Sequence, residues 1–162
     1  MNGNEYIFNS PTYGNLSLAT VRMRLLEYME KDPEGVYHLI IGTDSQPKNG
    51  QGADFVTAIL IHRVGKGGIY FWRRFDVAKK MALRERIYYE ATTSLVAAED
   101  LIGVLKDDGV SKYDIEIHVD VGKVGETREL IAEVVGMIRS SGYVCKTKPE
   151  AYGASKVADR HT

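Results

Sequence analysis

From about Met81 the apolar positions recur every three or four residues, Leu83, Ile87, Ala91, Leu95, Ala98, Ile102 and Leu105, and this stripe predicts one long amphipathic helix. The period then drops to two. Over Asp114–Val121, Ile115, Ile117, Val119 and Val121 alternate with Glu116, His118 and Asp120, the pattern of a strand with one polar face. Leu130, Ile131, Val134, Val135 and Ile138 return to helical spacing, and Gly142, a residue type suited to a left-handed C-cap, predicts the stop. Tyr143–Thr147 reads as a short strand, Pro149–Gly153 as a loop, and Ala154–Thr162 as a short segment with helical propensity.

Upstream, Val36–Thr43 is a nearly continuous apolar run, which suits a central strand covered on both faces. Ala53–His62 and Ile69–Val77 are β-branched and aromatic runs joined by the Gly-rich stretch Val64–Gly68, a hairpin signal. Ser17–Lys31 places Leu18, Val21, Leu25 and Met29 on one stripe, with Ser17 as N-cap and Asp32-Pro33 as the stop. The order is therefore β-β-β-α-β-α-β-α after an N-terminal helix. That order predicts an α/β fold with a mixed five-stranded sheet, hairpins followed by right-handed crossovers, and helices on both faces. Residues 1–35 form an N-terminal extension with one helix, and residues 36–162 the main domain.

Composition narrows the classes without changing this picture. At 162 residues, with 44% hydrophobic and 27% charged content, the chain fits one ordinary globular domain and not a disordered or fibrous one. The net charge of -1 creates no global field for a polyanion, so a nucleic acid would be held by a local patch or through metal ions. One cysteine, Cys145, excludes an internal disulfide and argues against structural zinc, which fits a reducing, cytoplasmic setting. Met1–Leu16 lacks the basic and apolar regions of a leader, and no apolar run approaches the roughly 18 residues a membrane span needs.

The acidic residues carry the candidate chemistry. Asp44 follows Gly42-Thr43 at the end of the central strand, and Asp120 ends the fourth. If those strands lie parallel and adjacent, the two carboxylates come side by side, and like charges within about 4 to 6 Å call for a cation. Glu90 lies on the flank of the long helix, and Asp159 in the C-terminal segment. Four hard oxygen donors suit Mg²⁺ or Mn²⁺ better than zinc. Taken singly, an Asp after a strand more often caps a turn, and a Glu on a helix is usually solvated. A second feature is Arg73–Arg86, where Arg73, Arg74, Lys79, Lys80, Arg84 and Arg86 stand against only Asp76 and Glu85. It is a local phosphate-binding candidate that leads into the helix carrying Glu90. A solvated strand edge and helix start would leave the same run.

Thr43-Asp44-Ser45, Tyr89-Glu90 with the following helix pattern and Glu99, His118-Val119-Asp120 and Ala158-Asp159 together resemble the ribonuclease H-like superfamily. More narrowly, Gly42–Gln46, His118–Gly122 and Ala154–Thr162 resemble an uncharacterised bacterial family, the YkuK-like ribonuclease H-like proteins. The likeness runs from about Val36 to the end, with Ser45 standing where a Gly commonly follows the Asp. The resemblance implies a metal-dependent nuclease that hydrolyses phosphodiester bonds with two Mg²⁺ or Mn²⁺ ions. Asp44, Glu90, Asp120 and Asp159 are then the catalytic and metal-holding residues. Arg73, Arg74, Lys79, Lys80, Arg84, Arg86 and Lys123 would contact nucleic acid. The implied partner is RNA, an RNA–DNA hybrid or structured DNA. Thr147–Gly153 contains no His, a residue many ribonuclease H enzymes carry there, so the hybrid is not singled out. His161, two residues past Asp159, is either a proton-transfer aid or an exposed terminal His.

Two other readings compete. Asp120–Thr127 (DVGKVGET) resembles the phosphate loops of actin-like ATPases and sugar kinases, which need two such domains where 162 residues supply one, and neither a Walker A motif nor GxGxxG is present. The alternative is therefore a catalytically silent nucleic-acid or phosphate-binding module on the same fold.

Overall fold

A short hairpin that the apolar pattern does not announce leads the chain. In the computed structural model, which describes residues 6–49, 51–120 and 128–147, β1 (Phe8–Ser10) pairs antiparallel with β2 (Gly14–Leu16). Helix α1 (Leu18–Glu30) follows, and the Ser17 hydroxyl accepts the Thr20 N–H at 3.2 Å, the N-cap that the sequence predicts. Strand β3 (Tyr37–Pro47) comes next and buries Leu39, Ile40 and Ile41, as an apolar run covered on both faces must. It extends past the predicted end at Thr43, because Ser45↔Phe55 and Pro47↔Ala53 keep it paired with β4 (Ala53–Arg63). Strand β5 (Gly67–Val77) completes the antiparallel set.

Helix α2 (Leu83–Leu105) then crosses over to β6 (Ile115–Val119), which lies parallel to β3, and α3 (Arg128–Ser140) to β7 (Val144–Thr147), parallel to β6. The sheet has seven strands in the order β2-β1-β5-β4-β3-β6-β7, where the pattern predicts five. The two extra strands are the hairpin, which joins β5 through Asn9↔Trp72.

One alternate set of strand residues makes the core. Leu39, Ile41, Ile59, Ile61, Phe71, Ile115, Ile117 and Val119 cluster with Val21 and Leu25 of α1, with Ile87, Ala98, Leu101 and Leu105 of α2, and with Val134 and Ile138 of α3. The three described helices therefore share one face of the sheet, in contrast to the expected two-faced layout. The reason is that all three apolar stripes match the same odd-numbered strand positions. The helix expected over Ala154–Thr162 lies outside the described residues. No described helix is long and apolar enough to cross a membrane.

At the end of the sheet that carries Asp44, Gly52 turns β3 into β4 with φ +93, and a Cβ there would lie 2.0 Å from the Val77 carbonyl oxygen. Both the backbone angle and the close approach exclude a side chain. Gly52→Ala is expected to destabilise the fold by about 2 kcal/mol or more. Its urea midpoint checks this, and an unchanged midpoint would mean that the turn yields freely.

Candidate active site

Parallel pairing of β3 and β6 sets the site. The register runs Leu39↔Ile115, Ile40↔Glu116, Ile41↔Ile117 and Gly42↔His118. Continued by two residues it aligns Asp44 with Asp120, the juxtaposition the sequence predicts for adjacent parallel strands. Asp44 is not at a strand end, as expected, but inside β3 opposite Val56, while Asp120 lies one residue past β6.

Glu90 is on the buried face of α2 and not on its flank. It is 9% exposed and shares that face with Ile87, Ala91, Ser94 and Ala98. Two residues of β3 meet it and its neighbour. The Ser45 hydroxyl donates to Glu90 Oε2 in a short hydrogen bond, and Arg86 Nη1 donates to Ser45 Oγ at 3.1 Å and to the Ser45 carbonyl at 3.4 Å. One helical turn further, Ser94 donates to Thr43 Oγ1 at 2.8 Å, and Thr43 and Thr57 hydroxyls lie 3.0 Å apart. Burial pushes the Glu90 carboxyl up to about 8. The Ser45 bond and the Arg86 charge oppose the rise, and the charges of Asp44 and Asp120 add to it. Glu90 on α2 thus feels the charges of Asp44 from β3 and of Asp120 past the end of β6.

The donor set fits a hard divalent cation: all three are carboxylates, and the repulsion of Glu90 by the other two is what such an ion would relieve. Among the described residues, no three His, Cys, Asp or Glu side chains already converge as a metal-holding cluster. Asp159 and His161 lie outside the described residues, as does Lys123.

The basic segment divides. Arg86 reaches the acidic centre through its hydrogen bonds to Ser45. Arg73 is half-buried between the rings of Tyr6 and Phe75, 4.3 and 4.8 Å from their centroids, and burial lowers its pKa. Arg74 pairs with Asp54 at 2.6 Å, Lys79 with Glu85 at 3.1 Å and Arg84 with Glu133 at 3.0 Å, while Lys80 is exposed. The row Asp44↔Val56↔Arg74 puts Arg74 two strands from Asp44 on the same face, a span of about 10 Å at the usual strand spacing. Lys48, which sequence reasoning passed over, joins Arg74 there through Asp54 at 3.2 Å and also pairs with Asp76 at 2.7 Å. The signal for Lys48 was its place just past the Asp44 strand.

Sequence reasoning also passed over Ser45 as a working residue, and Glu116, whose alternation placed it correctly on the polar face of β6. Glu116 Oε2 lies 2.7 Å from His38 Nδ1 and Oε1 lies 3.2 Å from His118 Nε2. Burial holds the His118 imidazole below its ordinary pKa.

Comparison with known proteins adds a family. The model of the family described as Ribonuclease H-like matches residues 20–162. The chain is 35% identical over 170 residues to the uncharacterized protein YkuK of Bacillus subtilis (strain 168), covering 98% of each chain. No solved structure matches.

Without divalent cations, a carboxyl raised from 4.5 to about 8 favours the folded state at low pH. Its contribution is complete below the unfolded value and is lost as pH rises through 8. The depressed His118 has the opposite sign, contributing above the unfolded value and losing that contribution as pH falls. Glu90→Gln isolates the first effect. The variant is expected to melt close to wild type at pH 5 and about 5 °C or more above it at pH 8.5, on the order of a few kcal/mol. Melting curves that stay parallel across this range would contradict the placement of Glu90.

Proposed function

The chain belongs to the ribonuclease H-like family, and from that premise we propose that it is a divalent-metal-dependent nuclease hydrolysing phosphodiester bonds of RNA or DNA. The observation that carries this reading is the buried Glu90 carboxyl under the charges of Asp44 and Asp120. Evolutionarily neutral packing would put an apolar side chain at a site 9% exposed, since a buried carboxylate among like charges destabilises the fold.

Asp44, Glu90, Asp120 and Asp159 are the residues that would hold two Mg²⁺ or Mn²⁺ ions. When bound, such ions supply charge stabilisation at the phosphate and make water nucleophilic at neutral pH. The chain's cations orient the strand. Arg74 and Lys48 lie on the face of Asp44, placed for a phosphate flanking the scissile one. Lys79 and Lys80, just before α2, and Arg84 in its first turn add cations at the entrance to the helix bearing Glu90. Their partners are no obstacle. Exposed ion pairs such as Lys79–Glu85 are screened by solvent and exchange readily for phosphate. Lys123 would continue the path beyond Asp120.

End-labelled single-stranded RNA, RNA–DNA hybrid and branched DNA incubated with Mn²⁺ test the reading. Wild type is expected to cleave at least one, and Asp120→Asn to lower the rate about 100-fold or more. Mn²⁺ should also raise the melting temperature of wild type and not of Asp44→Asn. Cleavage untouched by Asp120→Asn would place the activity elsewhere. Binding of the same substrates without cleavage would make the chain a silent binder.

A further inference from the structure

We propose that Ser45 and Arg86 are positioning residues, a two-step relay that fixes the Glu90 carboxylate in the orientation a divalent cation requires. The inference rests on the metal-dependent reading above, and its test separates the two.

Ser45 is 5% exposed and projects from β3 toward α2. A hydroxyl has one proton to donate, and here it goes to Glu90 Oε2, which leaves the lone pairs of Oγ to accept from Arg86 Nη1. The same nitrogen reaches the Ser45 carbonyl, so the guanidinium is tied to both the backbone and the side chain of one residue. Arg86 sits one helical turn before Glu90 on α2. The relay therefore closes a small loop from α2 through β3 and back to α2, with Glu90 at its end.

Arg86 differs from its neighbours in the basic segment. Arg74, Lys79 and Arg84 each rest on a carboxylate at 3.1 Å or less, whereas among the described residues Arg86 makes no ion pair within 4.0 Å. Its charge is kept close to the acids through Ser45. That arrangement leaves the second oxygen of Glu90 uncommitted by this relay while the first is pinned. Partners that hold a ligating carboxylate in place commonly change metal affinity 10- to 100-fold when removed.

A purely structural role for Ser45 would predict something else, namely an effect on stability with none on cation binding. Calorimetric titration of the metal-free full-length chain with Mn²⁺ distinguishes them. Ser45→Ala is expected to weaken Mn²⁺ about 10-fold or more, and Ser45→Thr, which keeps the hydroxyl, to stay within about threefold of wild type. Arg86→Lys keeps the charge and loses the planar fork. It should weaken Mn²⁺ in the Ser45 background and change it less than about twofold in the Ser45→Ala background, since the relay is already broken. Wild-type affinity in Ser45→Ala, or no rescue by Ser45→Thr, overturns the relay while the metal site stands. An Arg86→Lys effect undiminished in the Ser45→Ala background overturns the link through Ser45. If wild type takes up no Mn²⁺, the metal-dependent reading itself falls and the relay with it.

Discussion

The parallel pairing of β3 with β6 is the constraint from which the rest follows. Leu39 and Ile41 on one strand and Ile115 and Ile117 on the other are all core residues, and their register brings like faces together. A slip of one residue would turn every one of these side chains out of the core, so apolar burial alone pins the alignment. Once it is pinned, Asp44 and Asp120 have no freedom to be elsewhere. The position of the charges is thus decided by residues that carry none.

The same core tolerates a buried acid. Ile41, Ile59, Ile61, Ile115 and Ile117 are at most 1% exposed, and each contributes about 1.5–3 kcal/mol by burial. Holding Glu90 ionised in this buried site, and among like charges, costs on the order of a few kcal/mol, the equivalent of two or three such residues. The Ser45 hydroxyl reduces this cost by its bond to Glu90, and the Thr43, Thr57 and Ser94 hydroxyls match one another where α2 lies on polar positions of the sheet. Burial still outweighs the Ser45 bond and the Arg86 charge, since the net shift of Glu90 is upward.

Charge elsewhere is organised locally. Arg73 serves packing, through two aromatic rings, more than it serves the surface, while an acid holds Arg74 and a hydroxyl holds Arg86. A chain with net charge -1 can therefore still present cations on the face of Asp44 and along the start of α2, because the compensating acids lie beside them and not across the molecule.

The amino-acid pattern alone determined the elements with many residues per period. The long stripe from Leu83 to Leu105 and the alternation through Ile115–Val119 leave few choices, and the parallel neighbour for Asp44 followed from the order of those elements. It could not announce β1 and β2, since three residues are too few to show a period and Asn9↔Trp72 is a contact across 63 positions. Nor could it extend β3 through Asp44–Pro47, where the apolar run has ended and only pairing with β4 makes a strand. Glu90 reads in sequence as a helix residue at the edge of the stripe. Its burial, and the meeting with Ser45 and Arg86, depend on how closely α2 lies on the sheet, a distance that packing sets and no local pattern encodes.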